Sequence, residues 1–200
     1  MRIEGMSFDE LLARTAEKSP TPGGGAVAAA VGALGAALGS MVVAYSRGRK
    51  DLVESESMLG DAAGTLVALR GVMLDLASAD AAAYTLLNEA MKLPKDQPGR
   101  GEAVAAAAWS ATSPPLELLG RCVELMGVLE GLVGRSNTYL RSDLAIAAVL
   151  AEAAARAAAW NVRINLPMVG EAQQREARER VEAGVRACAA ALGRIEPACA

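Results

Sequence analysis

An aspartate embedded in alanine is the first group in this sequence equipped for chemistry. Asp80 is flanked by Ala79, Ala81, Ala82 and Ala83. A carboxyl on a buried apolar face keeps its proton to higher pH than usual, as a general acid or base requires. A solvated helix face accounts for the pattern equally well. Asp143 follows Ser142 ahead of a run of Leu, Ile and Ala and offers the same chemistry, although an acid in a first helical turn is also ordinary capping. The 200 residues contain no histidine, which removes the usual proton carrier near neutral pH, every Ser-His-Asp or Cys-His arrangement and every His-containing metal site. Carboxyls must do any proton work.

Three further features could bind rather than react. Pro22-Gly23-Gly24-Gly25 precedes a long apolar run, so backbone amides are left at a positive helix end suited to an anion. No Gly-Lys-Ser/Thr follows and no strand precedes, so it is neither a P-loop nor a dinucleotide fingerprint. A tight turn against a crowded neighbour explains it too. Arg135, Asn137 and Arg141 cluster ahead of Asp143. Asn161 and Asn165 lie four apart, on one helix face, where two amides can hold one ligand or merely finish a helix. Cys122 sits in an apolar segment, which fits a small core residue better than a nucleophile.

The elements that position these groups read as helices. Ser7-Phe8-Asp9-Glu10 is a capping box that opens a helix to about Lys18, and the Pro/Gly segment from Ser19 to Gly25 stops it. An Ala/Gly helix follows to Tyr45 or Arg47, then a long one from Asp51 to about Met91. Lys95 to Gly101 is a polar linker and Glu102 to Ala111 a short helix. Pro114-Pro115 is expected to break the chain before a helix to Val133. Helices from Ser142 to beyond Asn161 and from Gly170 to about Leu192 complete an all-α, antiparallel bundle of about seven helices in one domain. Flat alanine faces suggest packing against a second copy, a homodimer.

Composition narrows the classes. Aromatics are 3% of the chain, too few for a sheet core. A net charge of −3 gives no attraction for nucleic-acid backbone. Gly23 to Ser46 is uncharged and long enough to span a bilayer, but its Ala and Gly suit close helix packing better than lipid, so a buried central helix and no membrane are expected. Three scattered cysteines without a C-x-x-C pair, and an N-terminus unlike a signal peptide, point to reduced thiols in the cytoplasm.

Several of these segments together resemble the cyclodeaminase/cyclohydrolase family of one-carbon folate enzymes. They are Ser19-Pro20-Thr21-Pro22-Gly23-Gly24-Gly25-Ala26, Gly48-Arg49-Lys50, Asp80 with Ala83-Tyr84, and Leu93-Pro94-Lys95. Pro115-Leu116 with Cys122, Asn137 with Ser142-Asp143, and Asn161-Val162 with Ile164-Asn165 extend the likeness over about residues 7 to 167. The resemblance implies an all-α homodimer acting on a tetrahydrofolate derivative near the dimer interface, without a metal. It implies either cyclodeamination of 5-formiminotetrahydrofolate, the reading preferred here, or hydrolysis of 5,10-methenyltetrahydrofolate. On it, Asp80 and Asp143 carry protons with Cys122 and Asn137 beside them. Gly23, Gly24, Gly25, Arg49, Lys50 and Lys95 bind the folate anion or its tail, and Ser142, Asn161 and Asn165 join the binding set. Tyr139 stands where the family pattern has a second Asn, and Pro114-Pro115 where one Pro is usual. Tyr139 is also the motive for a different reading, a folate-binding helical dimer without catalysis.

Overall fold

The computed structural model describes Ile3 and residues 5–200, and within them six α-helices and three short 3₁₀ turns. The helices are α1 (Phe8–Ala16), α2 (Gly24–Ala44), α3 (Glu56–Lys92), α4 (Arg100–Leu132), α5 (Arg141–Asn165) and α6 (Glu171–Cys199). Helix α2 packs on α3 and α5, and α4 packs on the other two edges of the same pair. The ring α2–α3–α4–α5 is therefore a four-helix bundle, with α6 laid along α4 and α5. The Ser7 hydroxyl accepts from the Glu10 N–H to start α1, as the capping pattern predicts.

Small residues bring α2 and α5 together. A Cβ on Gly35 would stand 3.0 Å from the Ala147 carbonyl oxygen, so glycine allows a backbone approach that a larger residue could make only by pushing the two helices apart by a few tenths of an ångström. On α5, Ala147, Ala151, Ala154, Ala155 and Ala158 are wholly buried. Larger Leu and Met side chains from α3 and α4, among them Leu66, Met73, Leu125 and Leu129, fill the remaining core. Three stretches, Gly24–Ala44, Lys50–Lys92 and Thr138–Met168, are long and apolar enough to cross a membrane by length and composition. In this fold more than half of the first is packed inside the bundle, as suits a helix that is apolar all round.

Three expectations are corrected. The bundle has six α-helices rather than about seven, because the segments before and after Pro114-Pro115 form the single helix α4. The prolines cost the helix two bonds, those that residues 114 and 115 would give to the carbonyls of Ser110 and Ala111. Ser110 is at the surface, and the buried Ala111 carbonyl accepts instead from Asn165 Nδ2 at 3.3 Å. The helix continues because its lost partner is replaced from α5. The last helix also runs past Leu192 to Cys199, taking Pro197 into its final turn. The long helix expected from Asp51 begins as a 3₁₀ turn, Lys50–Ser55, because Leu52 leaves helical backbone angles.

Candidate functional site

Four helices converge on one cleft of about 240 Å³. The loop before α2 and its first turn give Pro20, Thr21, Gly23, Gly24 and Gly25. Asp80 and Tyr84 come from α3, Ala111 from α4, and Asn161, Ile164 and Asn165 from the end of α5. Six of the residues singled out in the sequence thus meet in one place: three glycines, one acid and two amides.

The acid is set against the glycines. Gly23, at the N-cap of α2, has no side chain to satisfy the first turn. Asp80 does so from the neighbouring helix, accepting from the Ala26 N–H. The approach is so close that a Cβ on Gly25 would fall 2.2 Å from Asp80 Oδ1. Burial raises the Asp80 carboxyl to about 6, the Ala26 N–H opposing the shift. A carboxyl at that value exists in both protonation states near neutrality, which is what a proton carrier needs.

The amides are fixed by the backbone. Asn161 Nδ2 donates to the Ala157 carbonyl at 3.0 Å, and its Oδ1 lies beside Gly24, 3.6 Å from where a Cβ would stand. Asn165 Nδ2 donates to both Asn161 O, at 3.2 Å, and Ala111 O, at 3.3 Å. Both amide hydrogens of Asn165 are engaged, so its side-chain oxygen is the group left to meet a ligand, whereas Asn161 keeps its oxygen and one N–H. The cleft lining holds no cation.

The other expected site residues are elsewhere in the chain. Asp143 is half-buried in the first turn of α5, 18 residues before Asn161 and so about 27 Å from it along the helix. Ser142 lines a different depression with Tyr139, Arg141 and Cys199. The Asn137 side chain is spent on local structure, donating to the Tyr45 carbonyl and accepting from the Tyr139 N–H, while its own N–H donates to Ser46 Oγ. Arg49 makes a two-point ion pair with Asp51, Lys50 is exposed beside it, and Lys95 is exposed in the loop after α3. Cys122 is fully buried in α4, and burial pushes its thiol far above the usual range, a state without nucleophilic thiolate. All three cysteines are unpaired and buried. Among the described residues no three His, Cys, Asp or Glu side chains gather as a metal site would need.

The sequence assigns no role to Thr21 or Tyr84, although both stand in segments that carry the resemblance, and gives Ala111 no notice as a site residue. A tyrosine one helical turn beyond a candidate acid is a signal that spacing alone could give. Ala111 contributes a carbonyl, and only the proline at position 115 hints that it is available.

The model of the formiminotransferase-cyclodeaminase family matches residues 7–183. Over 190 residues the chain is 32% identical to a methenyltetrahydrofolate cyclohydrolase of Methylorubrum extorquens, covering 93% of this chain and 91% of that one. It is 35% identical over 153 residues to the formimidoyltransferase-cyclodeaminase of Gallus gallus, covering 74% of this chain but only 28% of that longer protein. The crystal structure of formiminotetrahydrofolate cyclodeaminase from Thermotoga maritima superposes with a TM-score of 0.92 at 28% identity, over 98% of this chain and 96% of that one.

Proposed function

The chain belongs to the formiminotransferase-cyclodeaminase family, and we propose that it is a formiminotetrahydrofolate cyclodeaminase with Asp80 as its proton carrier. The observation that supports this reading is the cleft itself, where a carboxyl poised at about 6 faces three glycines and two fixed amides in a protein without histidine.

The chemistry needs one mobile proton. N10 of the substrate attacks the carbon of the protonated formimino group on N5, a carbon–nitrogen bond forms, and the tetrahedral carbon then expels ammonia to leave the 5,10-methenyl cation. The proton that N10 sheds is the one the departing nitrogen gains. A single carboxylate can take it and return it, provided both of its states are accessible at working pH. Asp80 meets that condition. Asn161 and Asn165 would accept from N–H groups of the folate, and the amides opening α2 would face its partial negative charges.

The near-complete match to the stand-alone Methylorubrum protein favours a second reading, methenyltetrahydrofolate cyclohydrolase. There the ionised Asp80 would take a proton from water as it adds to the methenyl carbon, giving 10-formyltetrahydrofolate. Near-ultraviolet absorbance separates the two. Growth of the methenyl band from 5-formiminotetrahydrofolate supports the first, and enzyme-dependent loss of that band from the methenyl compound supports the second. A folded protein inactive on both contradicts this proposal and leaves folate binding without turnover.

A cytoplasmic homodimer completes the proposal. Val27 and Leu34 on α2 with Tyr45 at its C-cap, and Ile146, Val149, Trp160 and Ile164 on α5, are large apolar side chains left exposed along adjacent helices, a pattern that marks interfaces. A second copy on this face would offer Asp143, Ser142, Arg49 and Lys50 a route to the cleft that one chain does not give them. A monomer by sedimentation equilibrium at micromolar concentration would end that part of the account.

A further inference from the structure

We propose that Pro115, outside the cleft lining, is a positioning residue that aims Asn165 at the substrate; the proposal rests on the folate reading above. Helix α4 carries Pro115 in its interior, where any other residue would donate its N–H to the carbonyl of Ala111. Proline has no N–H to give. The Ala111 carbonyl is thereby left to Asn165 Nδ2, 3.3 Å away on α5. The same nitrogen donates its other hydrogen to Asn161 O at 3.2 Å. Both hydrogens being committed, the amide cannot turn over without losing both bonds.

What remains is an oxygen with a fixed direction. Asn165 is 8% exposed, yet it lines the cleft, and among the described residues none donates a hydrogen bond to its Oδ1. Among the described residues the one fully buried side-chain polar atom without a partner is Arg121 Nε, so Asn165 Oδ1 still reaches open space. With Asn161 Oδ1 and the Asp80 carboxyl it gives the cleft an excess of acceptors. The complement is an edge of N–H donors, such as the amino-pyrimidinone ring of a reduced pterin. A carbonyl freed by proline on one helix thus dictates which end of an amide on another helix meets the ligand.

The test compares wild type, Pro115→Ala, Asn165→Ala and the double variant, by kcat and KM on both folates, by Tm, and by exchange of the Asn165 side-chain amide in ¹⁵N spectra. Pro115→Ala restores a helical N–H that competes for Ala111. It should raise KM about five- to tenfold, the worth of one hydrogen bond, with kcat changed far less and Tm equal or higher. Adding Asn165→Ala should cost no more than that substitution alone. Slow amide exchange in wild type should become fast in Pro115→Ala. Pro115→Ser restores the same N–H and serves if the alanine variant does not fold. A KM within twofold of wild type, losses that multiply in the double variant, or an unchanged amide signal would each overturn the inference. A wild type that turns over neither folate would instead defeat the functional reading, and the amide signal alone would then decide whether Pro115 positions Asn165.

Discussion

Gly25 and Asp80 occupy each other's space: a β-carbon on the first would stand 2.2 Å from Oδ1 of the second. The glycine is there so that the carboxyl can press onto the first turn of α2, and the pressing is what desolvates it. Alanine at position 25 must displace Asp80 or shift the helix end. Gly25→Ala should therefore lower kcat/KM at least roughly a hundredfold while leaving a helical protein. Turnover beside circular dichroism checks this, and a fully active Gly25→Ala would show that the contact is not used.

Asp80→Asn should trade activity for stability. The folded-state value of about 6 lies above the 3.8 of an ordinary aspartate. The sign follows from linkage: the raised carboxyl favours the folded state fully below the unfolded value, and that contribution is lost as pH rises through about 6. At pH 8 the ionised, half-dehydrated carboxylate costs the native protein about 2 to 3 kcal/mol, which asparagine removes while still able to accept from Ala26. The variant should unfold at higher denaturant than wild type at pH 8 and about equally at pH 4. A variant less stable at both pH values would contradict the origin given for the shift.

Cys122→Ala should keep turnover near wild type and cost about 1 kcal/mol through lost packing. The thiol is buried and its ionisation suppressed, so iodoacetamide should not label it in the native state. Loss of activity without loss of stability would return Cys122 to the site.

Asp143 tests the assembly. Held about 27 Å along α5 from Asn161, it can serve the cleft only from another copy. If it does, Asp80→Asn and Asp143→Asn are each weak alone, and exchanging chains between them should restore about a quarter of wild-type activity, since half the mixed dimers' sites are intact. No recovery after verified exchange, or an Asp143→Asn variant active by itself, would reduce Asp143 to a helix-capping residue.

Much of this site was legible because its parts have a local grammar. The glycine run, the acid among alanines and the asparagines four apart are each visible within a few residues, and all six residues meet in the cleft. What the order of residues hides is which local signals are answered from far away. Pro114-Pro115 reads as a break because two hydrogen bonds are lost, yet Asn165, 50 positions beyond Pro115, replaces one of them and α4 runs on. Asn137 and Arg49 have the chemistry of ligands, but Tyr45, Tyr139 and Asp51 already engage them. Cys122 has a reactive atom in a place where burial silences it. Residue type tells what a group can do, and only the fold tells what it is already doing.

The most direct test of the account is the pH profile of methenyl formation from 5-formiminotetrahydrofolate by wild type and Asp80→Asn. Wild-type kcat/KM should fall as pH drops through about 6, because the free enzyme must hold Asp80 ionised to accept the N10 proton. Asp80→Asn should be slower by roughly two to four decades and should lack that limb. An Asp80→Asn enzyme with near wild-type turnover and the same limb would show that another group carries the proton.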